Sequence, residues 1–322
     1  GRDEVDLSKE LPTDIPPGTT IVVADQQNRV QTLFAASGLG ENLPYKLEFA
    51  NFTGGPAVLE AFRSGTADVS YVGDVPPIHA QLTGEQVPII LANQGKTTNY
   101  VLATSPKTPA KTAADLRGKR IGYAEGTAQQ AVVLRALANA GLEVDDVELV
   151  RLQLAEFSEA LGANEIDIAP LNEPRLTRYL RDYQSDGASF IDPETTGQLS
   201  QGLSFVYARG QSLTDPAKAA ALRHFVGDLI KAQQWTNEHP AEWIDAYYVK
   251  NQNVTADDGW RILESVGTVA FPPLDDSVIA RQQNTIDLID RAGGLPNKIT
   301  AADGFDLRFA PVVEEARAAA GA

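Results

Sequence analysis

VLEAFRSGTADVSYVGDVPPIHAQLTG, residues 58–84, places one β-rich run between two helical runs. The first helical run ends at a Ser-Gly pair, the β-rich run ADVSYVG follows, and PPIHAQLTG begins the next helical run. The same alternation extends outward, because TIVVA precedes the helical VQTLFAAS and YKLEFAN precedes PAVLEAFRSG. Strands that alternate with helices in this way predict an α/β fold with a mostly parallel sheet.

A second α/β series follows the Pro-, Lys- and Thr-rich segment SPKTPAKTAADLRG. It comprises RIGYA with its helix, and then VELVRL, SEALGA, IDIAPL, EPRLTRYL and ASFID. The β-rich LSFVYARG comes next, and the later C-terminal runs carry apolar residues near the 3.6-residue spacing of helices. At 322 residues the chain exceeds the usual size of one hydrophobic core, so we expect two lobes with a cleft between them.

The predicted first lobe is discontinuous in sequence. Residues 101–106 and 203–209 bracket the second series, so we predict that they form a two-stranded hinge. The resulting limits are a flexible leader over 1–17, a first lobe over 18–103 and 206–322, and a second lobe inserted at 104–205. The predicted fold class is therefore two α/β lobes with mixed, mostly parallel sheets and a helical C-terminal segment.

Charge and composition exclude several classes of function. The formal charge of −16 opposes non-specific binding to nucleic acid and to anionic lipid. Cysteine is absent, which excludes disulfides, a thiolate nucleophile and Cys-based metal sites. His79, His224 and His239 lack metal-ligand spacing, so we expect no metal, no cofactor and no catalytic residue.

Several strand-to-helix turns share a polar or glycine-rich composition, namely DQQN, FTGGP, DVPP and EGTAQQ. In open parallel sheets such turns collect at the ligand crevice beyond the carboxyl ends of the strands. Gly54, Gly55 and Pro56 leave backbone N–H donors exposed at the start of a helix. Asp74 is either the N-cap of the next helix or a carboxylate that faces a ligand.

The turn EGTAQQ, residues 125–130, has both a structural and a binding interpretation. Thr127 and Gln130 match the T-x-x-Q capping box, which satisfies donors of the helix itself. The N–H groups of Ala128 and Gln129, the Thr127 hydroxyl and the positive end of the helix dipole also suit an anion such as a sulfonate or carboxylate.

Two longer stretches resemble a known family. Residues 58–84 continue after Ser-Gly with x-Ala-Asp and close their strand with Gly-Asp-x-Pro-Pro. Residues 112–137, TAADLRGKRIGYAEGTAQQAVVLRAL, show the pattern T-x-x-D-L-[KR]-G-K-[KR]-hydrophobic. With the Glu-Pro pair at 173–174 and the C-terminal PPLDDSVIARQQNTIDLIDRAGGLP, the chain from residue 19 resembles the solute-binding proteins of ABC importers for aliphatic sulfonates, taurine and nitrate.

The resemblance implies a type II periplasmic-binding fold and an extracytoplasmic location, in the periplasm or on the membrane as a lipoprotein. It also implies a non-catalytic, monomeric receptor that closes on a small solute such as a sulfonate or taurine and has an ABC permease as its partner. The ligand-facing positions that it implies are Gln26, Gln27, Gly54, Gly55, Pro56, Gly73, Asp74, Gly126, Thr127, Ala128 and Glu173.

Two alternatives stay open. One is an enzyme of the same fold that acts on a pyrimidine or a sulfur compound, although the desulfinase-like nucleophile is a cysteine and this chain has none. The other is a receptor for an uncharged or aromatic solute. Asn172 leaves this possibility open, because relatives often place a ligand-contacting aromatic residue before the acidic-Pro pair.

Overall fold

The computed structural model describes residues 4–322, in which strands and helices alternate as the sequence predicts. The strands are β1 (Thr20–Asp25), β2 (Lys46–Asn51), β3 (Val69–Val72), β4 (Ile89–Gln94), β5 (Tyr100–Thr104), β6 (Arg120–Tyr123), β7 (Glu148–Arg151), β8 (Ile168–Asn172), β9 (Ser189–Phe190) and β10 (Leu203–Ala208). The α-helices are α1 (Arg29–Ser37), α2 (Gly55–Arg63), α3 (Val75–Leu82), α4 (Ala128–Asn139), α5 (Phe157–Gly162), α6 (Arg175–Tyr183), α7 (Pro193–Thr196), α8 (Gly210–Thr214), α9 (Pro216–Glu238), α10 (Pro240–Trp243), α11 (Ala256–Val266), α12 (Asp276–Arg291) and α13 (Ala310–Ala320). A π-helix spans Ile244–Val249, and short 3₁₀-helices span Ala113–Leu116, Val144–Asp146, Leu154–Glu156, Gln184–Asp186, Ala301–Gly304 and Leu307–Phe309.

The ten strands form two mixed five-stranded sheets, one in each lobe. The first sheet has the order β2-β1-β3-β10-β4, and the second has the order β7-β6-β8-β5-β9. In each sheet three neighbouring strands run parallel, whereas the fourth strand in the order, β10 or β5, is antiparallel to both of its neighbours. The predicted α/β fold with two lobes and mixed sheets is confirmed.

Two connections carry the chain between the lobes. One comprises residues 95–99, between β4 and β5, and the other comes directly before β10. They lie side by side, since the Gly95 amide donates to the Gly202 carbonyl at 2.8 Å. Residues 101–106 and 203–209 do not pair as a hinge, because β5 and β10 belong to different sheets. The residues that cross between the lobes come before β5 and before β10. The predicted lobe boundaries, after residue 103 and after residue 205, fall inside these two strands.

The predicted flexible leader contacts the first lobe over its described part, residues 4–17. Val5 is buried, and its amide donates to the Gln86 side-chain oxygen at 2.9 Å. This contact differs from the predicted flexibility, because Val5 gains burial by packing against the core of the lobe. Residues 1–3 of the predicted leader lie outside the described residues.

The C-terminal helices cover the first sheet and reach the second lobe. Helix α9 packs against α1, β1 and α13, and α12 packs against α4 of the second lobe. One large buried cluster includes residues of both lobes, and a smaller cluster lies under α5 and α6. Within residues 4–322, no helix has the length and apolar character that crossing a membrane requires.

Candidate functional site

A cleft of about 260 Å³ lies between the lobes, where the parallel strands of both sheets end. Eight of the eleven predicted ligand-facing residues line it, namely Gln26, Gln27, Gly54, Gly55, Gly73, Thr127, Ala128 and Glu173. Pro56, Asp74 and Gly126 do not line it. The topology therefore gathers most of the predicted turns around one cleft, and their contact with a ligand stays a prediction.

Two glycines of the first lobe permit a close approach of the second lobe. A Cβ atom at Gly73 would lie 2.5 Å from the Ala128 Cβ atom. A Cβ atom at Gly55 would lie 2.8 Å from the Gly126 carbonyl oxygen. Real Cβ atoms do not approach other heavy atoms this closely, so a larger residue at Gly73 would push the lobes apart, whereas one at Gly55 would also clash with Pro76 of its own lobe at 2.7 Å.

The N-terminus of α4 presents two backbone donors to the cleft. The predicted capping box is wrong, because the Thr127 hydroxyl donates to the carbonyl three residues earlier at 2.6 Å and no side chain of the described residues caps the helix. Gln130 instead accepts from the Gly126 amide at 3.0 Å. The Thr127 proton is therefore engaged, whereas the amides of Ala128 and Gln129 have no partner within the helix and lie at its positive end.

Asp25 satisfies the donors at the start of α1. Its carboxylate accepts from the amides of Gln26 at 2.9 Å, Val30 at 3.0 Å and Gln31 at 2.9 Å. Burial raises the pKa of Asp25, and these three hydrogen bonds oppose the increase. A protein carboxylate therefore occupies the anion-binding end of α1, whereas no described side chain caps α2 or α4, which also begin at the cleft.

Asp74 has neither of the roles that the sequence suggested. Its side chain does not cap α3, and it does not line the cleft. It forms a buried salt bridge across the lobes, with Asp74 Oδ2 3.2 Å from Arg135 Nη2. Thr285 of α12 joins this contact by accepting from Arg135 at 2.9 Å and donating to Asp74 at 3.3 Å.

Glu173 lines the cleft, but its carboxylate is engaged by the protein. It accepts from the Thr177 amide at 2.9 Å and from the Thr177 hydroxyl at 2.8 Å, and so stabilises the first turn of α6. It also forms a salt bridge of 3.2 Å with Arg261 of α11. The implied ligand-facing role of the Glu173 side chain is therefore not supported by its contacts.

Arg29, which the sequence analysis did not select, places a fixed guanidinium in the cleft wall. Its Cζ atom lies 4.6 Å from the centre of the Tyr71 ring, and Nη2 donates to Gln233 at 2.9 Å. Nη1 is buried and has no hydrogen-bond partner among the described residues. A buried donor without an acceptor is costly, so an acceptor on a ligand would stabilise this arrangement.

Arg175 is a second cleft cation that the sequence analysis did not select, and it comes from the second lobe. It begins α6, directly after the Glu-Pro pair that the resemblance did identify. Burial, with a smaller effect from Arg178, lowers the pKa of Arg175. Within residues 4–322, Arg175 has no hydrogen bond or salt bridge, so no carboxylate neutralises it directly.

Four tyrosines complete the wall of the cleft, namely Tyr71, Tyr100, Tyr247 and Tyr248. Tyr247 and Tyr248 come from the π-helix, an irregularity that is frequent at functional sites. Burial raises the pKa of Tyr248 to about 12, so its hydroxyl stays protonated and can donate to a ligand. No local pattern marks these residues as one site, because Tyr71, Tyr100 and the adjacent pair Tyr247 and Tyr248 are distant from one another in sequence and meet only in the folded chain.

The comparisons with known proteins agree with this architecture. The family model described as NMT1/THI5 like matches residues 46–243, which is more than half of the chain. The chain belongs to the NMT1/THI5-like family. The predicted resemblance to sulfonate-binding proteins is confirmed, because a putative aliphatic sulfonates-binding protein of Escherichia coli (strain K12) is 25% identical over 254 residues, which cover 79% of this chain and 77% of that protein.

Two further comparisons extend over most of this NMT1/THI5-like chain. A putative aliphatic sulfonates-binding protein of Bacillus subtilis (strain 168) is 24% identical over 293 residues, which cover 90% of this chain and 83% of that protein. The alkanesulfonate-binding protein SsuA from Xanthomonas axonopodis pv. citri, solved bound to MOPS, has a TM-score of 0.78 at 24% identity and covers 91% of this chain and 99% of its own. The structural likeness confirms the predicted periplasmic-binding fold.

His79 is expected to make the stability of this NMT1/THI5-like protein depend on pH. A Cβ atom at Gly126 would lie 3.0 Å from His79 Cγ, so the imidazole packs at the contact between the lobes. Burial lowers the pKa of His79 below 6.5, with a smaller effect from Arg63. Because the unfolded chain binds this proton more readily, the contribution of His79 to stability is present above pH 6.5 and is lost as pH falls through the folded-state pKa.

We therefore expect His79→Gln to lose less stability on acidification than the unmodified protein. The measurement is the melting temperature of both proteins over a pH series from about 7.5 to 5.5, which brackets the ordinary His pKa. Identical losses in the two proteins would contradict the assignment of this pH dependence to His79.

Proposed function

We propose that this protein is an extracytoplasmic receptor that binds a small sulfonate-type anion between its lobes and delivers it to an ABC permease. The observation that carries the proposal is that Arg29 and Arg175 face one cleft without a salt-bridge partner among the described residues. The relatives named as sulfonate-binding proteins support the same ligand class. We further propose that the receptor is a monomer, either free in the periplasm or held at the membrane as a lipoprotein.

The donors around the cleft suit a sulfonate. A sulfonate carries one negative charge and three acceptor oxygens, and charge-assisted hydrogen bonds from Arg are among the strong ones in proteins. Arg29 Nη1 lacks an acceptor, and the amides of Ala128 and Gln129 add donors at the positive end of α4. The cleft volume of about 260 Å³ lies just below the range of about 300–1,000 Å³ for small-molecule sites, which favours a compact ligand.

Closure of the lobes is the proposed binding mechanism. A ligand held by Arg29 contacts the first lobe, and the same ligand held by Ala128 or Arg175 contacts the second lobe. Such a ligand stabilises the closed form by the difference between its affinities for the closed and open forms. The paired crossings at Gly95 and Gly202 are the proposed hinge, since they connect the two sheets.

A ligand panel tests the proposal. Isothermal titration calorimetry and thermal shifts with ethanesulfonate, taurine, nitrate and a pyrimidine should show binding of at least one sulfonate. A ligand at 100 times its dissociation constant should stabilise the protein by about 2.7 kcal/mol, which raises the melting temperature measurably. Stabilisation by the pyrimidine alone would contradict the proposed ligand class.

Arg29→Gln should weaken binding of the best sulfonate by about tenfold or more, because a hydrogen bond to a charged group contributes about 1.5–3 kcal/mol. Arg291→Gln is the matched control, since Arg291 is exposed at the end of α12 and its removal changes the net charge equally. Calorimetry of both variants with the same sulfonate makes the comparison. Equal losses in the two variants would contradict a direct contact between Arg29 and the ligand.

The enzyme alternative makes a different prediction. A receptor releases its ligand unchanged, so mass spectrometry after long incubation and unfolding should recover the added sulfonate intact. Conversion of the sulfonate or of the pyrimidine, proportional to protein concentration, would favour an enzyme of the same fold.

A further inference from the structure

The carboxylates near the cleft all have partners within the protein. The oxygens of Asp25 accept from three backbone amides. Asp74 pairs with Arg135, and Glu173 pairs with Arg261. The two cleft guanidiniums, one in each lobe, therefore retain charge that no salt bridge of the described residues neutralises.

The two guanidiniums face the same small cleft. Arg29 and Arg175 both line the cleft of about 260 Å³, and Tyr247 lines it with them. Asp25 also contributes to the electrostatic environment of Arg29, but it forms no salt bridge with it. Two half-buried like charges in one cleft, with no salt bridge among the described residues, are unfavourable, and a ligand with matching charge would remove that cost.

We infer that the ligand carries two acidic groups, a sulfonate held by Arg29 and a carboxylate or second sulfonate held by Arg175. This inference rests on the proposed function and specifies its substrate class as a short dianion. A monoanion would neutralise one guanidinium and leave the other in the same cleft without a counter-ion. A dianion that spans the cleft contacts one cation in each lobe and so draws the lobes together.

The surroundings of the two cations decide which group each one holds. Arg29 is fixed between Tyr71 and Gln233, which suits the group that sets the position of the ligand. Arg175 lies where a second cavity of about 330 Å³ borders the cleft at Gln27 and Leu154. The far end of a ligand therefore has room beside Arg175.

The neighbours of Arg175 on α6 differ from it in their contacts. Arg178 donates to the Gln252 carbonyl and side-chain oxygen at 3.1 Å each, and Arg181 donates to the Asn253 carbonyl at 2.9 Å. These two arginines hold the second lobe to the first. Arg175 makes no such contact, so it is the arginine of α6 available to a ligand.

Two isosteric probes test the inference. The dianion 3-sulfopropanoate and the monoanion 3-sulfopropanamide have nearly the same shape, and they differ in the end group, which is a charged carboxylate in one and a neutral amide in the other. We expect calorimetry at neutral pH to show the dianion binding about tenfold more tightly, which corresponds to about 1.4 kcal/mol. Ethane-1,2-disulfonate tests whether a second sulfonate replaces the carboxylate.

Two charge-matched variants locate the second anion site. Arg175→Gln should abolish the preference for 3-sulfopropanoate and leave the affinity for 3-sulfopropanamide within about threefold, since one sulfonate contact persists. Arg181→Gln removes the same charge from α6 outside the cleft, together with one contact between the lobes, so it should change the affinities for both probes equally and retain the tenfold preference. Melting temperatures establish that both variants fold.

The outcomes separate the two proposals. Equal affinities of the two probes for the unmodified protein would overturn the inference and leave the sulfonate receptor intact. Equal losses for both probes in Arg175→Gln would also overturn it, because both guanidiniums would then hold one sulfonate. Failure of both probes and of ethanesulfonate to bind would contradict the proposed function itself.

Discussion

Replacing Gly73 with alanine is expected to weaken ligand binding by about 5- to 150-fold. The added methyl group would lie 2.5 Å from the Ala128 Cβ atom, across the contact between the lobes. The backbone at Gly73 is not left-handed, so alanine fits the turn and only the approach of the second lobe is obstructed. Overpacking costs about 1–3 kcal/mol, and here the cost falls on the closed form that holds the ligand.

A double-variant cycle tests this explanation. Ala128→Gly removes the opposing methyl group and should restore most of the affinity lost in Gly73→Ala, with a helix cost of about 0.5–1 kcal/mol. Gly227→Ala in α9 is the control, because the nearest heavy atom to its added Cβ would be 3.9 Å away. Calorimetry with the sulfonate that binds most tightly measures the affinities of the two single variants, of the double variant and of the control. A double variant that binds no better than Gly73→Ala would contradict a steric cause.

The alternation of β-rich and helical runs was sufficient to predict the two-lobe α/β fold. Runs such as VELVRL and LSFVYARG became β7 and β10, because their local preferences agree with the burial they receive in the sheets. The order of the strands was not predictable in the same way. Strand β10 inserts between β3 and β4, and that pairing depends on contacts between residues distant in the chain.

The positions around the cleft were more predictable than the roles of their side chains. The carboxyl ends of parallel strands meet at one edge of a sheet. The turns at Gly54, Gly73 and Thr127 therefore lie at that edge, and their positions follow from the topology alone. The direction of a side chain depends on partners from other elements. Glu173 is held by Arg261 of α11, a contact that no local pattern predicts.

The cleft arginines show the same limitation. Arg29 and Arg175 each begin a helix, and an arginine at a helix start is ordinarily a solvated surface residue. In the folded chain both are half-buried and line the cleft together with the π-helix tyrosines. A useful signal was nevertheless present, since Arg175 directly follows the Glu-Pro turn and Arg29 follows the Gln26-Gln27 turn by one residue.

Replacing Arg135 with methionine is expected to weaken ligand binding by about a hundredfold or more. The salt bridge between Arg135 and Asp74 is buried, with side-chain exposures of 13% and 7%, and it joins the two lobes. Removing one partner leaves a buried charge unpaired, which costs about 3–5 kcal/mol. Asp74 can regain water when the lobes separate, so the cost falls mainly on the closed form. Ligand affinity should therefore decrease more than the stability of the ligand-free protein.

The exposed pair of Arg117 and Asp146 provides a matched control, because it also joins an arginine to an aspartate but leaves the arginine 65% exposed. Arg117→Met should change ligand affinity by less than about threefold, since surface ion pairs contribute about 0–1 kcal/mol. Adding Asp74→Asn to Arg135→Met removes the unpaired charge and should recover part of the lost affinity. Calorimetry with one sulfonate, together with melting curves without ligand, distinguishes closure from general destabilisation. An affinity loss in Arg135→Met no larger than that in Arg117→Met would show that this salt bridge does not stabilise the closed form.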